Sequence, residues 1–363
     1  MSIRPRRALL NPDLVRPHAL DSVPRNPQAV WLDKNENLDP ELLALTHQVL
    51  GQISPAALTN YPEAGQLYRR LGQWLGVDPQ CLLLTPGSDG AIRLAFEAFV
   101  ETGDSVLHTH PTFAMYPVYC QMFGAKAHAI GYFDSADGPE LDVQALFSAI
   151  RRERPKLVCL PNPDSPTGTV QSAQVMAELL RECELAGSVL LIDEAYHPFY
   201  AWTAVPWVAQ SPNLVVVRTF AKAWGLAGLR IGYLLAQPAT AALLHKLRPM
   251  YEVSTVATEF MERMLDHVPA MQQSVERTLQ GKAEFAQRLE RLGLRVLRTH
   301  GNFLHVHFGA HSQKVHAALR GHVLYRESFS VPGLIGFSRF SMAPWTVLAP
   351  VIERIERVLG DVS

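Results

Sequence analysis

A chain of 363 residues with 48% hydrophobic side chains is long enough for one large and one smaller domain, each with a substantial core. Its 33 Lys and Arg against 34 Asp and Glu leave a formal net charge of -1, so no field of one sign invites nucleic acid or an anionic membrane. The four cysteines (Cys81, Cys120, Cys159, Cys183) show no CxxC spacing, no metal site is indicated, and no apolar run approaches the ~20 residues of a membrane span.

The cysteines are expected to be reduced and buried, and the arginines of the first residues precede no apolar stretch of signal length, so a cytoplasmic protein is expected. Residues 1–30 read as an arm rich in proline and arginine. A short strand over 31–33 runs into a polar turn, and helices are expected over 39–52 and 64–75, the second stopped by Gly76. From 80 to 235 strands and helices alternate. Strands are expected at 81–85, 105–109, 126–130, 157–160, 189–193 and 214–217, with helices at 91–100, 143–152 and 173–186 and a tight turn at 86–90. Such alternation predicts α/β layering on a mainly parallel sheet. Beyond Pro238 long helices to about 293 give way to short strands at 295–297, 303–307, 323–326 and 336–341, with helices at 311–320 and 346–359. The charges on a helical period over 277–291 read as a solvated face. The expected division is an N-terminal arm with part of the small domain (1–55), a large α/β domain (56–250) and a small α+β domain (251–363).

Three features carry chemistry. Lys222 follows the apolar strand 214–217 in a loop of small residues, where partial burial would lower its pKa and ready it for Schiff-base chemistry. Arg230, eight positions on, can take a phosphate, and Gly87-Ser88-Asp89 opens a helix whose free N–H groups form an anion seat. Asp193 ends a strand of four apolar residues and needs a partner if buried. A cofactor bearing both an aldehyde and a phosphate suits this set. No GxGxxG follows the first strand of the α/β block, which argues against a dinucleotide enzyme.

The motifs KNENLDP (34–40), NYPE (60–63), PGSDGAI (86–92), HPTFAMY (110–116), NPDSPTG (162–168), DEAY (193–196) and RTFAKAWGLAGLRIGY (218–233) span most of the chain. In this order they resemble the fold-type I pyridoxal-phosphate aminotransferases, most closely the histidinol-phosphate aminotransferase branch. The resemblance implies pyridoxal 5′-phosphate held through Lys222, with Asp193 at the ring nitrogen, Tyr196 and Ser165 at the ring oxygen, and Phe113 stacked on the ring. Ser88, Asp89, Thr219 and Arg230 would hold its phosphate. Arg339 and Arg326 would take the substrate's anionic groups, with Asn35 and His18 on the substrate side. Tyr61 would reach the cofactor phosphate of a neighbouring subunit, which implies a homodimer with shared sites.

This sequence departs from the family at Ser165, where asparagine is usual, and at Asp164, where asparagine is common. His18 stands in place of a tyrosine, and Leu38 in place of a proline. The expected activity is amino transfer between L-glutamate and an anionic small molecule of amino-acid biosynthesis, expected to be phosphorylated. Histidinol phosphate with imidazole-acetol phosphate is the first choice, another 2-oxo acid the next, and decarboxylation of a phosphorylated amino acid the rival on the same fold.

Overall fold

The computed structural model describes residues 5–16, 23–297 and 299–360. Its main sheet has eight strands, in the spatial order Leu82–Thr85, Gly232–Ala236, Leu214–Thr219, Val189–Asp193, Leu157–Pro161, Ser105–His110, Lys126–Ser135 and Gly138–Leu141. The pairings from Leu214–Thr219 across to Lys126–Ser135 are parallel, and those at both edges are antiparallel. The parallel strands are short runs of Leu, Val and Ile without alternation, because helices cover both faces. Buried side chains accordingly form one apolar layer on each side of the sheet.

Local chemistry sets the helix ends. Helix Gly65–Leu75 stops where Gly76 turns left-handed at φ 67°, as its position in the sequence suggested. Helix Ala173–Ala186 starts at Ser172, whose hydroxyl accepts from the Val175 N–H, and ends on Gly187 at φ 71°. Three expectations need correction. The turn at 86–90 is already helix, since Gly87–Phe99 is continuous, which places Ser88 and Asp89 in its first turn. Gly-Ser-Asp suits a helix start as well as a turn, and only the later apolar residues showed a period. The strand Gly232–Ala236 is fully buried and was hidden at the end of the glycine-rich stretch. The strand expected at 126–130 extends to Ser135 and folds back as a hairpin.

A second, three-stranded antiparallel sheet holds Arg295–Leu297, Phe303–His307 and Phe337–Ser341. Helices Val268–Arg291, Ser312–Leu319 and Trp345–Gly360 pack on it around Phe285, Leu304, Phe340 and Ile352. Val30–Trp31 pairs in parallel with Val323–Leu324, so the N-terminal stretch joins this C-terminal body. The strand expected over 323–326 is only those two residues, and Arg326 makes an isolated bridge to Arg339. No helix among the described residues is long and apolar enough to cross a membrane. The four cysteines are buried and unpaired.

The face expected to be solvated over 277–291 is mostly engaged. Arg277 pairs with Asp39 and Glu41, and Arg288 with Glu356. Lys282 is buried, and its Nζ donates to Thr299 O at 2.5 Å, Gly301 O at 2.7 Å and Thr299 Oγ1 at 3.1 Å. Burial pushes its pKa down to about 7. The unfolded chain therefore keeps this proton to higher pH than the fold does, so Lys282 adds stability as pH rises from 7 towards 10. Lys282→Met strands two carbonyls and should cost about 2–3 kcal/mol. The deficit in thermal midpoint relative to the parent is expected to widen between pH 7 and pH 9. A deficit that narrows over that range contradicts the burial account.

Candidate active site

Four parallel strands end on one cavity of about 660 Å³, at the carboxyl edge where open α/β sheets place ligands. Asp193 closes its strand there, and the loops after Pro161, His110 and Thr219 supply Ser165, Phe113 and Lys222. The segment 33–35 and residues 326–339 of the C-terminal body form the opposite wall.

Asp193 is 5% exposed and has no cation in ion-pair range among the described residues. Its carboxylate accepts from the Ala195 N–H at 3.0 Å and from the Tyr116 hydroxyl at 3.2 Å. Burial nevertheless pushes its pKa up to about 7, opposed by those two bonds and reinforced by Asp164 and Glu194. A buried carboxylate at a cavity wall without a positive partner suits a ligand that brings one.

Lys222 lies across the cavity with its Nζ 5.9 Å from the centre of the Tyr196 ring, and it donates to Lys34 O at 2.7 Å. Burial lowers its pKa to about 8, helped by the repulsion of Arg339 and Arg230 and opposed by Glu36 and Asp193. The amine therefore gives up its proton far more readily than a solvated lysine, although the charged form still predominates near pH 7, and a group that is in turn nucleophile and proton carrier needs that ease of exchange. The Tyr196 hydroxyl accepts from Asn35 Nδ2 at 2.8 Å and also hydrogen-bonds Ser165, while its ring packs edge-on against Phe303. Asn35 takes a left-handed backbone (φ 56°) and is pinned by Ser341 and Asn302, so the C-terminal body reaches the cavity through it.

The helix start at Gly87 and the guanidinium of Arg230 face each other. A Cβ at Gly87 would sit 2.8 Å from Arg230 Nη2, and one at Gly232 would sit 2.8 Å from Ser88 N. The absence of side chains lets exposed N–H groups, a hydroxyl and an arginine converge, with Thr219 beside them. Asp89 is held by the Tyr119 hydroxyl at 2.9 Å. Phe113 lines the cavity with its edge to Tyr116.

Arg326 and Arg339 are cross-strand neighbours, their backbones bonded in both directions at 3.0 and 2.8 Å, and both line the cavity. Arg339 donates to Asp33 O at 2.8 Å, its Nε has no partner, and neither guanidinium meets a carboxylate among the described residues. Two unpaired guanidinium groups side by side can grip two anionic groups of one molecule, or one each of two.

The structure thus brings together Asn35, Ser88, Asp89, Phe113, Ser165, Asp193, Tyr196, Thr219, Lys222, Arg230, Arg326 and Arg339. Tyr61 stands apart, 74% exposed and stacked on Tyr251 at 4.3 Å. His18 lies outside the described residues. Tyr116 was missed, although it is one helical turn beyond Phe113 in the same motif. The buried Arg218–Glu194 pair at 2.8 Å, behind the Asp193 strand end, was missed too, because its partners lie 24 residues apart.

A family model described as aminotransferase class I and II matches residues 27–355. The chain is similar to histidinol-phosphate aminotransferase of Caldanaerobacter subterraneus subsp. tengcongensis, at 32% identity over 82% of this chain and 84% of the relative. It is 36% identical to histidinol-phosphate aminotransferase 1 of Cupriavidus pinatubonensis over 70% of this chain and 68% of that one. Among solved structures, the histidinol-phosphate aminotransferase of Sinorhizobium meliloti in complex with pyridoxal-5′-phosphate shares the fold, with a TM-score of 0.78 at 23% identity, covering 95% of this chain and 97% of that one. L-threonine-O-3-phosphate decarboxylase of Porphyromonas gingivalis shares it as well, with a TM-score of 0.75 at 22% identity, covering 91% and 99%.

Proposed function

Because the chain belongs to the class I and II aminotransferases and works with pyridoxal 5′-phosphate, we propose that it moves an amino group between L-glutamate and a phosphorylated carbonyl compound, with histidinol phosphate as the partner amine. The observation carrying this reading is the pair Arg326 and Arg339, adjacent and unpaired in the cavity that holds Lys222. Glutamate and a phosphorylated amine both carry an anion remote from the reacting nitrogen.

The residues fit the cofactor. Asp193 is a buried acceptor lacking a cation, the role a protonated ring nitrogen fills. The side-chain-free approach of Gly87 to Arg230 leaves a cradle for a phosphate. When bound, the cofactor supplies an aldehyde for the substrate's amino group and a ring that draws the electron pair from Cα. In this reading Lys222 Nζ would hold the cofactor through its aldehyde and would accept and return the proton at the substrate's Cα. Its lowered pKa keeps it able to accept that proton. Asp193 would hold the proton on the ring nitrogen. Ser88, Asp89, Thr219 and Arg230 would seat the phosphate, with Asp89 ordering the helix start. Phe113 would cover one ring face, and Tyr196 and Ser165 would address the ring oxygen. Arg339 would take the carboxylate and Arg326 the remote anion, with Asn35 in the same wall.

Tyr61 and Tyr251, exposed beside Leu58 and Met250, form an apolar patch on which a second copy docks in this reading, with Tyr61 reaching that copy's phosphate seat. The four unpaired thiols suit a reducing compartment, and we place the protein in the cytoplasm.

Mixing holoenzyme with glutamate alone should convert the cofactor's absorbance to that of its amine form and release 2-oxoglutarate stoichiometrically. Histidinol phosphate should do the same with release of imidazole-acetol phosphate. No conversion by glutamate overturns the donor assignment. Carbon dioxide released from a phosphorylated amino acid overturns the transaminase reading in favour of decarboxylation.

A further inference from the structure

Asp164 carries the second buried carboxylate of this region, and the mechanism above does not use it. It is fully buried between two cavity-lining residues, Pro163 and Ser165. Three hydroxyls donate to it. Thr109 reaches Oδ2 at 2.6 Å, Tyr132 reaches Oδ2 at 2.6 Å, and Thr112 reaches Oδ1 at 2.9 Å. These donors come from the end of Ser105–His110, from the neighbouring strand Lys126–Ser135 and from the loop bearing Phe113. Gly168 N donates to the Asp164 carbonyl at 2.7 Å, so the loop is closed around it. No arginine or lysine pairs with it among the described residues.

The titratable groups around it are few. Tyr132 faces it from the hairpin strand, Tyr116 from helix Met115–Phe123, and Asp193 from the adjoining strand end. His108, one residue from Thr109, turns its ring to the Thr109 carbonyl at 2.8 Å. Hydroxyl donors favour a carboxylate over a carboxylic acid, and they add no positive charge to cancel it. A buried negative charge behind a cavity wall acts through protein rather than water, so its field reaches further than a surface charge would.

We propose that Asp164 is a positioning residue for the cofactor, a second fixed negative charge on the Asp193 side of the cavity that holds protons on the cofactor's nitrogen atoms to higher pH. Burial does push its own pKa up, to about 6, yet the hydroxyls oppose the rise, and above that pH the carboxylate is charged. The carboxylate also ties the loop of Ser165 to the loop of Phe113, so both contacts to the ring are set from one point.

The inference rests on the cofactor being seated as proposed, with its aldehyde at Lys222 and its ring nitrogen at Asp193. The test is the absorbance of bound cofactor titrated against pH, in the holoenzyme and in Asp164→Asn. The variant keeps the shape and loses the charge. Its midpoint should fall by about one pH unit, and its cofactor dissociation constant should rise several-fold. A folded variant with an unmoved or raised midpoint overturns the proposal, whatever happens to turnover. Should Asp164→Asn not fold, Tyr132→Phe serves. It removes one donor and so weakens the ionised form of Asp164, giving a smaller fall in the same direction, and no fall overturns the proposal. Borohydride reduction followed by peptide mapping runs alongside. An unlabelled Lys222 would overturn the cofactor seating itself, whereas a labelled Lys222 with an unmoved midpoint rejects only the role of Asp164.

Discussion

Lys222→Ala is expected to lose transamination by about 10⁴-fold or more while the protein stays folded. The amine is asked both to bind the cofactor's aldehyde and to carry the Cα proton, and among the described residues the cavity wall holds one other lysine, Lys34, whose carbonyl receives the Lys222 Nζ. Its loss removes one hydrogen bond from the fold, worth about 1 kcal/mol, and deletes a partly desolvated cation between Arg339 and Arg230. The thermal midpoint of the cofactor-free variant should therefore change little. On the proposed seating the phosphate and ring contacts would remain, so cofactor should still be retained without a covalent bond. Turnover within tenfold of the parent would end the assignment of Lys222.

Asp193→Asn should slow the reaction by about 10³-fold, because on the proposed seating the ring nitrogen would lose the charge that keeps it protonated. Stability gives a second, independent reading. In the cofactor-free fold the carboxyl pKa is raised to about 7 by burial, against about 3.9 in an unfolded chain. The folded state thus binds more protons than the unfolded one between those values, and stability falls as pH rises from 4 to 7. Above pH 7 the full penalty is present, roughly 2–4 kcal/mol. Cofactor-free Asp193→Asn should then melt higher than the cofactor-free parent at pH 8 and equally at pH 4. With cofactor bound the order at pH 8 reverses, since only the parent gains the ion pair. A variant that melts lower than the parent at pH 8 without cofactor would show that the carboxylate already has a partner inside the protein.

Much of this was legible because it is local. The parallel strands announced themselves as apolar runs, and Asp193 and Lys222 sit where such runs stop. Motif order carried the cofactor. What escaped depends on partners far apart in the chain. Tyr116 lies 77 residues from Asp193 and Tyr132 lies 32 from Asp164, separations that no periodicity encodes. Gly232–Ala236 is a strand because Leu82–Thr85 and Leu214–Thr219 flank it, yet its five residues show no alternation. Lys282 hid among the arginines and glutamates of its helix, where only packing against 299–301 separates a buried ammonium from solvated ones. Tyr61 was singled out as a motif residue, and it stands apart from the cavity, exposed and stacked on Tyr251.

The amine and the acid ride on the eight-stranded sheet, while the two guanidinium groups ride on the three-stranded one and its edge. The cavity is therefore gripped like an object between the jaws of a calliper. The gap between Nζ and the arginines is therefore set by how the two bodies pack, not by either sheet alone. A core substitution that tilts either sheet should be felt at the site without touching a residue that lines it.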